Sequence, residues 1–110
     1  MEVETLKKYE AVIILDEHLA EDQGKLFAEE FGTLMKGLGG VCETSQPMGR
    51  KQFTYEIKKR KTGVYWDFVF DLPEKNVAEI KKTYQLDERI LRFRILEYGI
   101  RGKKATLEDL

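Results

Sequence analysis

A chain of 110 residues is long enough for one domain that buries roughly two-thirds of the surface its unfolded form would expose. Its 42% hydrophobic and 35% charged residues exclude a disordered polymer, and no apolar run reaches the ~20 residues that a membrane span needs. Lys plus Arg number 19 against 20 Asp plus Glu, a formal net charge of −1, which argues against sequence-blind coating of nucleic acid. The opening MEVETLKKYE has no apolar segment, so no secretory signal is expected, and the single Cys42 cannot form an internal disulfide. Both features favour a reducing cytoplasm.

The elements follow in chain order. KKYEAVIILD, Lys7 to Asp16, is an apolar, β-branched run that predicts a strand buried on at least one face. From Leu19 the spacing changes: Leu26, Phe27, Phe31, Leu34, Met35 and Leu38 recur three or four apart, the mark of one apolar helix face. Gly37, Gly39 and Gly40 stop that helix. Val41 to about Met48 reads as a second strand, placed at a sheet edge by Pro47, and Phe53 to Ile57 extends it. Lys58 to Gly63 is expected to form the loop. GVYWDFVFDLP is the strongest strand, with Trp66, Phe68, Phe70 and Leu72 on one side and Tyr65, Asp67, Val69 and Asp71 on the other. Pro73 and Glu74 suit the start of a second helix, along which Val77, Ile80 and Tyr84 make an apolar stripe. DERILRFRILEYG is the last predicted strand.

The order β-α-β-β-α-β predicts an α+β fold, a ferredoxin-like two-layer sandwich. Right-handed crossovers place both helices on one face of a four-stranded antiparallel sheet, with strands one and three in the middle. Residues 1–98 form this single domain, and the tail from Gly99 to Leu110 is expected to be flexible.

Helices on one side leave the other side of the sheet open. Alternation assigns Glu10, Val12, Ile14, Val41, Glu43, Tyr65, Asp67, Val69, Asp71, Arg92, Arg94 and Leu96 to the open side. An exposed sheet face is ordinarily polar. Here Val12, Ile14, Tyr65, Val69 and Leu96 give it a half-apolar character, which marks a surface that another macromolecule covers. Between Arg50 and Lys61 the chain gathers Arg50, Lys51, Lys58, Lys59, Arg60 and Lys61 against the single acid Glu56, a local charge of +5. Such a density, near Tyr55 and Tyr65 as stacking rings, suits contact with a phosphate backbone.

At YEAVIIL, GRKQFTYEI and LPEKNVAEI the sequence resembles bacterial ribosomal protein six of the small subunit, over about Leu6 to Tyr98. The family's strand-one opening stands here as Tyr9-Glu10 followed by Ala11 to Leu15, and its second-strand signature as Gly49-Arg50-Lys51-Gln52-Phe53-Thr54-Tyr55-Glu56-Ile57. Glu56 replaces the family's usual proline, and Glu97 stands where a family member often carries a cation. The resemblance implies a ferredoxin-like fold and a structural, non-catalytic role in the cytoplasm. There it binds ribosomal RNA of the small subunit, paired with ribosomal protein eighteen, and is a monomer when free. It implies Lys7, Lys8, Arg50, Lys51 and Arg92 as phosphate contacts; Arg94 and the loop cations Lys58, Lys59, Arg60 and Lys61 are added on charge alone. The partner face is Val12, Ile14, Tyr65, Val69 and Leu96.

Nothing in the sequence supports catalysis, a cofactor, a metal or a small-molecule substrate. One histidine, His18, and one cysteine cannot build a zinc site. GLGG ends a helix and lacks the Lys-Ser/Thr of a phosphate loop. A hydrolase of this fold acting on acyl phosphates needs an Arg in an anion-binding loop after strand one; DEHLAEDQGK is acidic there. The alternative is a free-standing single-strand RNA-recognition module, which stacks bases on the third strand. KTGVYWDFVF meets that pattern loosely, and Asp67 beside Tyr65 opposes phosphate there.

Overall fold

The computed structural model describes residues 5–20, 22–98 and 104–109. Its elements are β1 (Leu6–Leu15), α1 (Lys25–Gly37), β2 (Val41–Ile57), β3 (Arg60–Pro73), a 3-10 turn (Glu74–Asn76), α2 (Val77–Tyr84), β4 (Ile90–Tyr98) and β5 (Lys104–Asp109). The sheet order is β2-β3-β1-β4-β5 with every pairing antiparallel. The four expected strands and two helices are in place, with β1 and β3 inside. β5 is an addition, laid along the outer edge of β4, where an uncovered strand offers unpaired N–H and C=O groups. The expectation of a flexible tail falls in part on residues 99–103 and 110, which lie outside the described residues.

Both helices pack on one face. Phe27 and Phe31 of α1 meet Phe68 of β3 at ring-centroid distances of 6.3 and 4.4 Å, and Tyr84 of α2 meets Phe93 of β4 at 5.8 Å. Tyr9, Ala11, Ile13 and Leu15 of β1 close the layer between them, all fully buried. Each buried large side chain contributes ~1.5–3 kcal/mol of transfer free energy, so burial of this single layer is a main favourable term in folding.

Three boundaries differ from the sequence reading. α1 begins at Lys25, six residues after Leu19, because Asp22 accepts hydrogen bonds from the N–H groups of Gly24 (3.1 Å) and Leu26 (2.7 Å) and holds the entry as a turn. The helix ends as expected: Gly39 takes φ 83°, and the N–H groups of Gly39 and Gly40 donate to the carbonyls of Lys36 and Met35, a Schellman stop. Pro73 closes β3, and the 3-10 turn after it leads into α2. The β2–β3 loop is only Lys58 and Lys59, with φ of 48° and 66°, so Arg60, Lys61, Thr62 and Gly63 belong to β3. Positive φ at both positions matches the hairpin's right-handed twist, although neither residue is the usual Asn or Gly.

Candidate RNA and partner interface

The register sets the side-chain faces. Three open-side rows run across β3, β1 and β4: Val69–Glu10–Leu96, Asp67–Val12–Arg94 and Tyr65–Ile14–Arg92. The five residues expected to meet a partner protein all lie in these rows. Val12, Ile14, Tyr65, Arg92, Arg94 and Leu96 surround a depression of about 240 Å³. Glu10 is buried within the face at 7% exposure and accepts a hydrogen bond from the Tyr98 hydroxyl at 3.4 Å.

β2 crosses to this pattern irregularly. Its register shifts between Cys42 and Thr44 and between Pro47 and Gly49, each time with one extra residue against β3. Every such bulge reverses which side the following residues take. After the second, Arg50 lies opposite buried Val64 and Lys51 opposite Gly63. Two adjacent cations that the sequence reading grouped together therefore go to opposite faces of the sheet.

On the helix side the hairpin cations are met by acids. Arg50 Nε donates to Glu17 Oε2, and the Thr62 hydroxyl donates to Glu17 Oε1 at 2.8 Å. Those contacts hold the Glu17 carboxyl below the usual carboxylate range. Arg60 Nε donates to Asp16 Oδ2 at 3.0 Å, and Asp16 is only 4% exposed. Lys58 Nζ donates to the carbonyl of Ile90 at 3.3 Å. The acidic turn after β1 thus binds the hairpin's own arginines.

On the open side the hairpin cations meet rings. Lys51 Nζ lies 5.1 Å from the centroid of Tyr65, and Phe53 lies 6.2 Å from Tyr65 at an interplanar angle of 55°. A Cβ on Gly63 would come within 2.7 Å of Phe53 Cζ and 2.6 Å of Ile14 Cγ2, so only glycine lets the Phe53 ring settle there. Arg92 is exposed at the end of the Tyr65–Ile14–Arg92 row. At the far end of the open face the charge is different. Lys8 Nζ lies 3.2 Å from Glu43 Oε2, and Glu43 shares a hydrogen bond with Asp71. Burial and then Glu43 push the Asp71 carboxyl upward, while the hydrogen bond from Asp71 and then Lys8 hold Glu43 down. On the other side of the sheet, which Tyr9 shares, Lys7 Nζ bonds Glu74 at 3.0 Å and lies 3.6 Å from Glu97.

Of the ten cations expected at RNA, Lys7, Lys8, Arg50 and Arg60 thus form ion pairs within the chain. Among the described residues, Lys51, Lys59, Lys61 and Arg92 have no carboxylate partner. Tyr55 and Tyr65, expected as stacking rings, border with Arg92 a second depression of about 190 Å³, and sequence reasoning overlooked Phe53 and Gln52 beside them. The signal was present: Lys51, Phe53 and Tyr55 alternate along β2.

The model of the ribosomal protein S6 family matches residues 8–97. The chain belongs to that family. Its members are structural constituents of the small ribosomal subunit and not enzymes. The chain is 33% identical to small ribosomal subunit protein bS6 of Helicobacter acinonychis over 84% of its length, and that match spans 66% of the relative, just under two-thirds. It is 31% identical to the bS6 of Helicobacter hepaticus, covering 96% of this chain and 77% of the relative. A crystal structure of 30S ribosomal protein S6 from Thermotoga maritima superposes with a TM-score of 0.78 at 23% identity, covering 84% of this chain and 88% of that one. The likeness to that structure shows the ferredoxin-like fold. Among the described residues no helix is long and apolar enough to cross a membrane.

Proposed function

We propose that the chain is a non-catalytic scaffold of the small ribosomal subunit in the cytoplasm, binding ribosomal RNA together with ribosomal protein eighteen. The observation that carries this reading is the open face itself. Val12, Val69 and Leu96 are only half-buried on this face, Ile14 between them is buried at 5%, and the same face turns from carboxylates at the Lys8 end to unneutralised cations at the hairpin end. The partner protein lies over the half-apolar rows and the acidic end. RNA meets the hairpin end, through Lys51 and Arg92 with Lys59 and Lys61 beside them. Arg50, Arg60, Lys7 and Lys8 serve the phosphates less, since each is already held by an acid.

The test is binding of the full chain to small-subunit ribosomal RNA, with and without ribosomal protein eighteen, at two salt concentrations. Affinity should rise when the partner is added and fall with salt. Equal, partner-independent affinity for unrelated single strands would replace this reading with the free RNA-recognition module. The free chain should sediment as a monomer.

A further inference from the structure

The hairpin end of the open face has the build of a site for one nucleotide. The 190 Å³ depression beside Arg92 is lined by Phe53, Tyr55 and Tyr65 and by no carboxylate, whereas the depressions at Arg50 and along α1 contain Glu17, and Glu29 with Glu43, respectively. Tyr55 is 77% exposed, a large ring that packs on nothing in the ring contacts around it. Phe53 and Tyr65 form a tilted wall behind it, seated by the missing Cβ of Gly63. Lys51 stands over Tyr65, and Arg92 borders the depression at the other end of the Tyr65–Ile14–Arg92 row.

We propose that this notch takes one unpaired nucleotide of RNA, with the base stacked on Tyr55 and its phosphate held by Lys51 and Arg92. Exposed rings are sequence-tolerant platforms, because every base offers a flat face, and a base inside a duplex cannot reach them. Charge selects the same occupant: Arg92 in the lining and Lys51 over Tyr65, with no acid in the lining, suit a phosphate and repel a second cationic chain. The assignment rests on the RNA reading above and narrows it from a charged surface to a stacking site. Tyr65 and Arg92 also border the partner depression, so the row between the two sites belongs to both.

Nuclear magnetic resonance on the full chain tests this with three probes: adenosine monophosphate, adenosine and inorganic phosphate. The monophosphate at millimolar concentration should move the ring signals of Tyr55, Phe53 and Tyr65 together with the side-chain signals of Lys51 and Arg92. Adenosine should move the rings more weakly, and inorganic phosphate should move only the cations. In parallel, Tyr55→Ala should weaken binding to small-subunit ribosomal RNA about tenfold, and Tyr55→Phe should restore it, because stacking needs the ring and not the hydroxyl. If wild type and Tyr55→Ala bind that RNA equally, the stacking site is wrong while the RNA reading stands. Loss of monophosphate binding in Tyr55→Ala with ribosomal RNA affinity unchanged would also overturn the assignment to RNA. If the wild type itself shows no affinity for that RNA, both readings fall.

Discussion

Arg50 and Lys51 are neighbours in the chain and opposites in the molecule. Arg50 faces the helix side, bound to Glu17 next to Asp16, the acceptor for Arg60. Lys51 faces the open side, set over Tyr65 with no acid beside it. The two share a sequence motif, a charge and a strand, yet one closes the fold while the other is available to a ligand. A count of cations therefore says little about binding; what matters is whether the fold supplies each with a counter-ion. The acidic turn DEH, which argues against an anion-binding loop after β1, proves to be the hairpin's internal counter-charge.

The largest expected effect lies on the helix side. Asp16 is buried, accepts Arg60 at 3.0 Å and the N–H of His18 at 2.9 Å, and stands where β1 ends. Asp16→Ala strips both donors of their acceptor, and the chain should lose about 2–3 kcal/mol in urea unfolding. Folded protein should keep its RNA affinity. Unchanged stability, or a folded variant that no longer binds, would break the division between the two sides.

The open side should answer with binding and not with stability. Lys51→Ala combined with Arg92→Ala should lower affinity for small-subunit RNA about tenfold and flatten the dependence of log affinity on log salt by ~1.4–1.8, two phosphate contacts' worth. Arg50→Ala should leave that slope as it is. Arg50 is largely exposed, so its loss should cost no more than about 1 kcal/mol of stability. Equal slopes for the two variants would mean that both faces meet phosphate.

How far the sequence could show this depends on regular alternation. In β1 and β3 the period of two is unbroken through the core, and in β4 it holds from Arg92 to Glu97, so Ile13 and Trp66 are legible as core and Val12 and Tyr65 as open face. In β2 it is not. The bulges near Glu43 and Met48 each reverse the pattern; Pro47 and Gly49, at φ 85°, mark the second, whereas nothing in the sequence marks the first. The hairpin turn was misplaced for a related reason: Gly63 has the look of a loop residue, but it lies in β3 as the seat of Phe53, while two lysines make the turn. Ion pairing between Arg60 and Asp16, 44 residues apart, has no local signature at all. β5 likewise follows from an available edge on β4 and not from any apolar pattern of its own.

The smallest effect separates the two sides by pH. On the helix side Arg89 donates to Asp87 Oδ2 at 2.7 Å and to Glu30 of α1 at 2.8 Å, and its guanidinium covers the Phe27 ring. That hydrogen bonding from Arg89 holds the Asp87 carboxyl below its ordinary value. A depressed carboxylate stabilises the fold above its unfolded pKa of ~3.9, and the contribution fades as pH falls through the lower folded value. Asp87→Asn should therefore cost about 1 kcal/mol near neutral pH, with the gap to wild type closing in acid. Asp71, on the open side, has the opposite sign: burial and the adjacent Glu43 raise its pKa, so its contribution is complete in acid and lost as pH rises through the folded value. Asp71→Asn should be neutral or mildly stabilising near neutral pH and should converge on wild type in acid from above. Thermal unfolding of both variants from about pH 3 to about pH 7 reads the two slopes. Parallel slopes would show that the carboxyls on the two sides of the sheet do the same work, and that only the helix side's arginine pairing had been misjudged as special.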